Sequence, residues 1–347
     1  MSTAVKLSKL LITEYRGKLF AISYDRDRAN EIEYIENNSL LGSIHIGRVK
    51  KISKNINAAF VEIEYNRERQ IVYFDMEDFK YLIFADEKEH PVLHEGDDIV
   101  IRISKLPIKN KLAGATADIS DVSGEVLDNI KARKNYIKSP CMLYAGENDY
   151  IEIIKDRLKY AAFDIVTDIK EIYDGTVSFL SQNYSEAVDR VRFYDDTMIT
   201  LNKLYSVDTL FESAVNKKVW LNGGGYLFIE STEALTVIDV NTGKNVQKKD
   251  ASAIKLNTNL EAIKESARQI RLRNISGIII IDLINTTDKS QIDLIYHTMK
   301  DYLKEDRLNA IAIDITKLCL FEITRRKRKP SLLEVMKKQG YYSVKHK

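Results

Sequence analysis

The chain has 347 residues, more than one average domain, and carries 53 basic against 51 acidic side chains for a net charge of +2. With 44% apolar residues it can bury a sizeable core, and at near-neutral charge any nucleic-acid binding has to come from local patches. No apolar run reaches the roughly 18 residues of a membrane helix, no leader-like segment opens the chain, and Cys141 and Cys319, the only cysteines, have no metal-type neighbours in sequence, so a cytoplasmic protein with reduced thiols and no membrane partner is expected.

In chain order, "LLITEYRGKLFAISYD" alternates apolar and polar residues around an Arg-Gly-Lys turn and predicts two strands. Between residues 38 and 120, "GSIHIGRVKKI", "INAAFVEIEY", "RQIVYFDM", "DDIVIRISKL" and "LAGATADIS" read as short strands, which suggests a small barrel with the OB-fold as first choice. Residues 123 to 215 mix helices ("SGEVLDNIKARKNYI", "ENDYIEIIKDRLKY") with short strands ("FDIVTDI", "DRVRFYD"). In the last third, "KKVWLNGGGYLFIEST" predicts a hairpin that turns between Asn222 and Gly225, and "EALTVIDV" is the next strand. "NTNLEAIKESARQIRLRN" predicts a helix capped at Asn257 or Thr258, with Leu260, Ile263, Ala267 and Ile270 on one face. "GIIIIDLI" is continuously apolar, the pattern of a strand covered on both faces. "DKSQIDLIYHTMKDYLKED" is a helix and "NAIAIDIT" a strand, so this part reads as an α/β sandwich built on right-handed crossovers.

Asp239 and Asp282 lie late in two of these apolar strands, where functional side chains of such sheets gather. Two carboxylates brought together repel unless a proton or cation sits between them. Magnesium suits such a pair, because it is hard and is often held by one or two carboxylates plus water and substrate phosphate. Asn241, two residues beyond Asp239, points to the same face and could orient a carboxylate or a phosphate. On spacing alone a capping role and a metal site both stand. Asp314, in "AIAIDIT", is a third carboxylate in a like position and reads as structural.

Three blocks, "GGYLFIESTEALTVIDVNTGK", "NTNLEAIKESARQIRLRNISGIIIIDLI" and "LCLFEITRRKRKPSL", resemble, in order and spacing, the catalytic core of the RNase E/G family of endoribonucleases. "GSIHIGRVKKISKNINAAFVEI" resembles the start of that family's OB-fold domain. The resemblance implies an α+β multidomain chain: an RNase H-like subdomain (residues 1–37 and 121–215) interrupted by an OB-fold (38–120), then a DNase I-like α/β subdomain (216–347). It implies that Asp239 and Asp282 hold one catalytic Mg2+, with Mn2+ as a substitute, and that Asn241 supports them. It implies cleavage of single-stranded, A/U-rich RNA in RNA processing or decay, leaving 5′-phosphate and 3′-hydroxyl ends. It also makes Phe60 a base-stacking aromatic and Lys111 an RNA contact. From the pattern alone, Phe60 in "AAFVEI" reads as core. A second stacking aromatic is replaced here by Ile71, with Tyr73 as the candidate to compensate.

The chain departs from the family where "GATADIS" runs almost directly into "SGEVLDNIKARKNYI", so the 5′-end sensor segment is expected to be missing; a sensor arginine also falls on Asn309. No cysteine follows "RKPSL", which argues against structural zinc and against a zinc-linked dimer while leaving a homodimer open. For the basic run from Arg325 through Arg326 to Lys329, a solvated tail and a set of phosphate contacts are both consistent. Arg268 and Arg271 pose the same choice, since Glu261 and Glu265 lie close enough to pair with them. The alternative to an endoribonuclease is a non-catalytic RNA-binding protein that keeps the fold.

Overall fold

Alternating apolar residues build the first strands, β1 (Lys9–Tyr15), β2 (Lys18–Asp25) and β3 (Arg28–Ile35), an antiparallel meander. The computed structural model describes residues 8–36, 40–86, 91–107, 111–120, 122, 124–134, 136–146, 148–243 and 251–338. Its contacts divide the chain into two compact units, residues 36–152 and residues 1–35 with 153–347.

In the smaller unit, β4 (Ile44–Ser53), β5 (Ala58–Tyr65), β6 (Glu68–Asp75), β7 (Ile83–Phe84), β8 (Asp98–Lys105) and β9 (Gly114–Thr116) follow one another. The order β4-β5-β6-β9-β8, with β8 pairing back onto β4, closes a five-stranded barrel. Only β6 and β9 run parallel within it. These are the same five segments the alternation picks out, and Val61, Ile63, Val72, Phe74, Ile99 and Ile101 fill the interior. The expected barrel ended at residue 120, but the compact unit reaches residue 152. The reason lies in α1 (Gly124–Lys134) and β10 (Cys141–Tyr144): β10 pairs with β4, and Ile130 and Leu143 pack with Ile44, Ile46 and Val100. Helix α2 (Asp149–Leu158) spans the division between the units.

In the larger unit, β11 (Asp164–Thr167) and β12 (Val191–Phe193) extend the meander to the order β12-β11-β1-β2-β3, both joining in parallel. Helix α3 (Lys170–Asn183) connects them and was not among the predicted helices; Ile172, Thr176 and Leu180 form its buried face, and a threonine blurs the apolar period. Helices α4 (Leu201–Leu204) and α5 (Val207–Val215) add Leu201, Val207 and Phe211 to the core against Phe20 and Ile22.

The remaining elements are β13 (Lys218–Trp220), β14 (Tyr226–Ser231), β15 (Leu235–Asn241), α6 (Ala251–Leu272), β16 (Gly277–Asp282), α7 (Lys289–Leu303), β17 (Ile311–Ile315), β18 (Leu320–Arg325) and α8 (Leu332–Lys338). They form a sheet of order β13-β14-β15-β16-β18-β17. The α6 crossover joins parallel neighbours, whereas β18, a strand the alternation did not reveal, lies between β16 and β17. Ile238, Ile279, Ile281, Phe321 and Ile323 pack against Ile263, Ala267, Ile270, Ile295 and Met299 of the two helices. Here the structure corrects the expectation from "GIIIIDLI". Among the described residues the sheet is covered on one face, and Ile278 and Ile311 on the other are each 54% exposed. A second correction concerns α6, which begins at Ala251, so Asn257 and Thr258 lie inside it, and Thr258 Oγ1 donates to the Ile254 carbonyl.

A buried charge network ties these parts of the larger unit together. Glu31 and Glu33 of β3 accept from Arg157 at 3.0 and 2.9 Å and from Arg307 at 2.8 Å each. Arg307 also pairs with Asp156, and Lys329 approaches Glu33 at 3.6 Å. Burial by itself would raise the Glu33 pKa; Arg307, Lys329 and Arg157 outweigh it and hold the carboxyl well below the usual carboxylate range. A carboxyl depressed in the folded state stabilises the fold above its ordinary value of 4.5 and loses that contribution as pH falls through the folded value. Glu33→Gln is therefore expected to lower the urea-unfolding free energy by about 3–5 kcal/mol at pH 7. The gap between parent and variant should narrow as the measurement is repeated below pH 4.5.

Candidate active site

Asp239 and Asp282 are direct register partners on the parallel pair β15 and β16. Their chain neighbours Ile238, Val240, Ile281 and Leu283 are buried, so both carboxylates project from the open face of the sheet. Asp239 is half-buried and Asp282 exposed. Asn241 Nδ2 donates to Asp239 Oδ2 at 2.7 Å, the carboxylate-directed of the two contacts its position offers. Phe228 stands opposite Asp239 and Tyr226 opposite Asn241 on β14.

Helix α6 fixes the chain at both sides of this pair through Asn259, which the sequence did not single out, and through Glu261, which it offered only as an ion-pair partner for Arg268 and Arg271. Asn259 is fully buried; its Nδ2 donates to the Ile284 carbonyl and its Oδ1 accepts the Ile284 N–H, both at 2.9 Å, two residues beyond Asp282. Glu261 accepts the backbone N–H groups of Asn222 at 2.5 Å and Gly223 at 3.0 Å, which pins the hairpin turn. That turn packs closely on the end of β15. A Cβ at Gly225 would sit 2.7 Å from the Asn241 carbonyl, and Gly243, at φ +69°, faces the Gly224 carbonyl. Asn259 and Glu261 stand two apart in "NTNLEA", and an asparagine within a helical segment, where its amide competes with the backbone, was the one available signal.

Asp314 is exposed opposite Glu322, and β18 separates it from Asp282. Among the described residues, no group of three or more His, Cys, Asp or Glu side chains is arranged to hold a metal ion. The donor set on offer is therefore the two carboxylates with Asn241 beside them. Hard oxygen donors on neighbouring strands, which repel each other without a cation, fit a magnesium ion completed by water and phosphate.

On the barrel, Phe60 and Tyr73 are register partners of β5 and β6, with ring centroids 6.4 Å apart at 82°. Ala59, Val61, Val72 and Phe74 fill the interior, so these two rings lie on the outer face, half-buried. This replaces the core reading of Phe60. Ile71 is on the same face opposite Glu62, and Lys51 is opposite Phe60. Lys111 is exposed ahead of β9, and the Tyr73 N–H donates to the Ala113 carbonyl at 2.8 Å.

Two of the expected RNA contacts are not available to RNA. Arg325 is buried, with its guanidinium on Asp306 at 2.9 to 3.1 Å, on Asn274 Oδ1 at 2.8 Å and on the Ile275 carbonyl at 2.9 Å. In an extended strand every second residue of a basic run turns inward, and Arg325 is one of those. Lys327 pairs with Glu334 and Lys329 with Glu33, which leaves Arg326 and Arg328 exposed. Arg268 binds Glu265 at 2.6 Å and the Ala29 carbonyl at 2.9 Å, so its guanidinium is occupied within the fold.

Residues 95–328 match the family model described as Ribonuclease E/G family. The chain is 23% identical to Ribonuclease G of Salmonella typhimurium (strain SL1344) and 24% identical to that of Escherichia coli (strain K12). Each alignment covers 88% of this chain and 76% of the relative. It is 30% identical to Ribonuclease E of Buchnera aphidicola subsp. Schizaphis graminum (strain Sg) over 59% of this chain and 21% of that protein.

Asn259→Ala removes both bonds to Ile284 and is expected to destabilise the chain by about 1–3 kcal/mol, measured by urea unfolding. Asn259→Asp keeps the acceptor but sets a fully buried carboxylate against the Ile284 carbonyl, and should destabilise the chain at least as much as the alanine variant.

Proposed function

This chain belongs to the Ribonuclease E/G family, and from that premise we propose an endoribonuclease of RNA processing that hydrolyses single-stranded RNA with magnesium at Asp239 and Asp282. The observation that carries the proposal is the in-register carboxylate pair with Asn241 hydrogen-bonded to Asp239. We read the two sheets of the larger unit as the RNase H-like and DNase I-like subdomains.

Asp239 and Asp282 would hold the Mg2+. When bound, such an ion supplies charge stabilisation for a phosphate in flight and lowers the pKa of a coordinated water. Asn241 keeps the Asp239 carboxylate in one orientation, which reduces the reorganisation needed when the phosphate arrives. Asn259 and Glu261 hold the backbone on either side, so the pair stays at one level. The barrel contributes Phe60 and Tyr73 as faces for unpaired bases, and stacking of that kind is tolerant of sequence. Lys111 and Arg326, both exposed, supply cations for backbone phosphates. Unpaired bases are what an aromatic face can accept, which supports single-stranded over duplex substrate. A preference for A/U-rich sequence and 5′-phosphate and 3′-hydroxyl ends accord with the family.

Labelled single-stranded RNA is expected to be cut with Mg2+ and left intact with EDTA. Asp239→Asn and Asp282→Asn should fold as the parent does and lose cleavage by on the order of a hundredfold or more, the scale of several kcal/mol of lost charge stabilisation. If either variant cuts as fast as the parent, these roles are wrong; RNA binding without magnesium-dependent cutting would identify a non-catalytic clamp instead. Phe60→Ala should weaken RNA binding by roughly 1–3 kcal/mol in a filter-binding titration. Substrates with 5′-monophosphate and 5′-hydroxyl ends should be cut at equal rates.

A further inference from the structure

The open face of the active-site sheet does not end at the carboxylates. Asp282, Asp239, Phe228 and Lys218 are successive register partners across β16, β15, β14 and β13. One step along the strands, Asn241, Tyr226 and Trp220 form a second such row. Val219, Leu227 and Ile229 face the helices, so the alternate residues Lys218, Trp220, Tyr226 and Phe228 share the open face with Asp239. The sheet therefore runs from two carboxylates to aromatic rings one strand spacing from Asp239 (Phe228 and Tyr226) and two spacings away (Trp220), roughly 5 and 10 Å across the sheet.

These rings are unusually available. Trp220 is 66% exposed and Phe228 36%, although large aromatic side chains are ordinarily mostly covered. The Trp220 and Tyr226 rings meet edge to face, with centroids 5.5 Å apart at 65°. The Lys218 ammonium lies 3.9 Å from the centroid of each. Flat, exposed rings with a cation among them, continuous with a row of phosphate-directed acids, match the mixed chemistry of a single nucleic-acid strand. The rings suit the bases and the ammonium suits the backbone. A protein partner would draw on the rings but gives no reason for the cation or for the register with Asp239.

We propose that Trp220, Tyr226 and Phe228, with Lys218 among them, form a stacking platform that takes an unpaired nucleobase of the RNA close to the phosphate being cut. This rests on the endoribonuclease reading of Asp239 and Asp282 and adds a substrate subsite to it. The platform holds the strand on the cleavage sheet itself, by rings that belong to the same unit as the carboxylates.

Trp220 is the only tryptophan of the chain, so intrinsic tryptophan fluorescence reports this platform alone. The full chain is titrated in EDTA with a short single-stranded A/U RNA and with the same sequence as duplex. Saturable quenching by the single strand and little by the duplex is expected. With Mg2+, Trp220→Ala, checked for folding by circular dichroism, should lower kcat/KM about tenfold to a hundredfold, mainly through KM, and Trp220→Phe should recover most of it. Single abasic nucleotides walked through the substrate should reduce parent cleavage by a similar factor at one position, where Trp220→Ala is insensitive. Unchanged fluorescence at saturating RNA, or a Trp220→Ala variant as efficient as the parent, overturns the platform and leaves the nuclease standing. Quenching by RNA in a chain that never cuts supports the platform and overturns the nuclease.

Discussion

The site depends on a like-charge constraint: two carboxylates held at one level on adjacent parallel strands. Parallel strands cannot be joined by a tight turn, so the chain has to leave the sheet, and α6 is that excursion. A shift of register by one residue would turn Asp239 or Asp282 into the apolar layer and bring Ile238 or Ile281 out of it. The core of Ile238, Ile279 and Ile281 under α6 and α7 forbids this. Asn259 and Glu261, on the same helix, reach past the strand ends and fix the loops on both sides. The crossover that makes the parallel pair also locks it.

Arginine has a structural role here that its charge alone would hide. Arg325 sits in the interior with Asp306, Asn274 and the Ile275 carbonyl satisfying its donors. Arg157 and Arg307 do the same for Glu31 and Glu33. Such groups are destabilising if left unpaired and close to neutral when fully bonded, so they specify how elements meet more than they add net stability. The planar guanidinium can serve several acceptors at once, which is why these positions carry arginine. Within the basic run, Arg326 and Arg328 are the exposed members.

How much was legible follows the strength of the local signals. The five barrel strands alternate cleanly because one side of each faces a small closed interior, and each was read correctly. Asp239, Asp282 and Asn241 stood out as candidates because charged or amide groups are conspicuous in an apolar strand. Helix α3 was missed because Thr176 takes an apolar position, and β18 because it is short and its last residue, Arg325, opens the basic run. "GIIIIDLI" misled for a related reason: Ile278 and Ile280 on the open face are as apolar as Ile279 and Ile281 on the covered one, so the pattern carries no sign of which side is bare.

The sequence by itself determined most of the segments that become strands and helices, and which side chains are chemically out of place in them. Those properties are local, set by a period of two or 3.6 residues and by the polarity of single groups. Only the tertiary structure decided that Asp239 and Asp282 are partners, that Phe60 and Tyr73 meet on the outer face of the barrel, and that Arg325 is sealed inside while Arg326 is exposed. Strand order and register arise from contacts between residues tens of positions apart, and the aromatic row from Asn241 to Trp220 exists only once β13, β14 and β15 lie side by side.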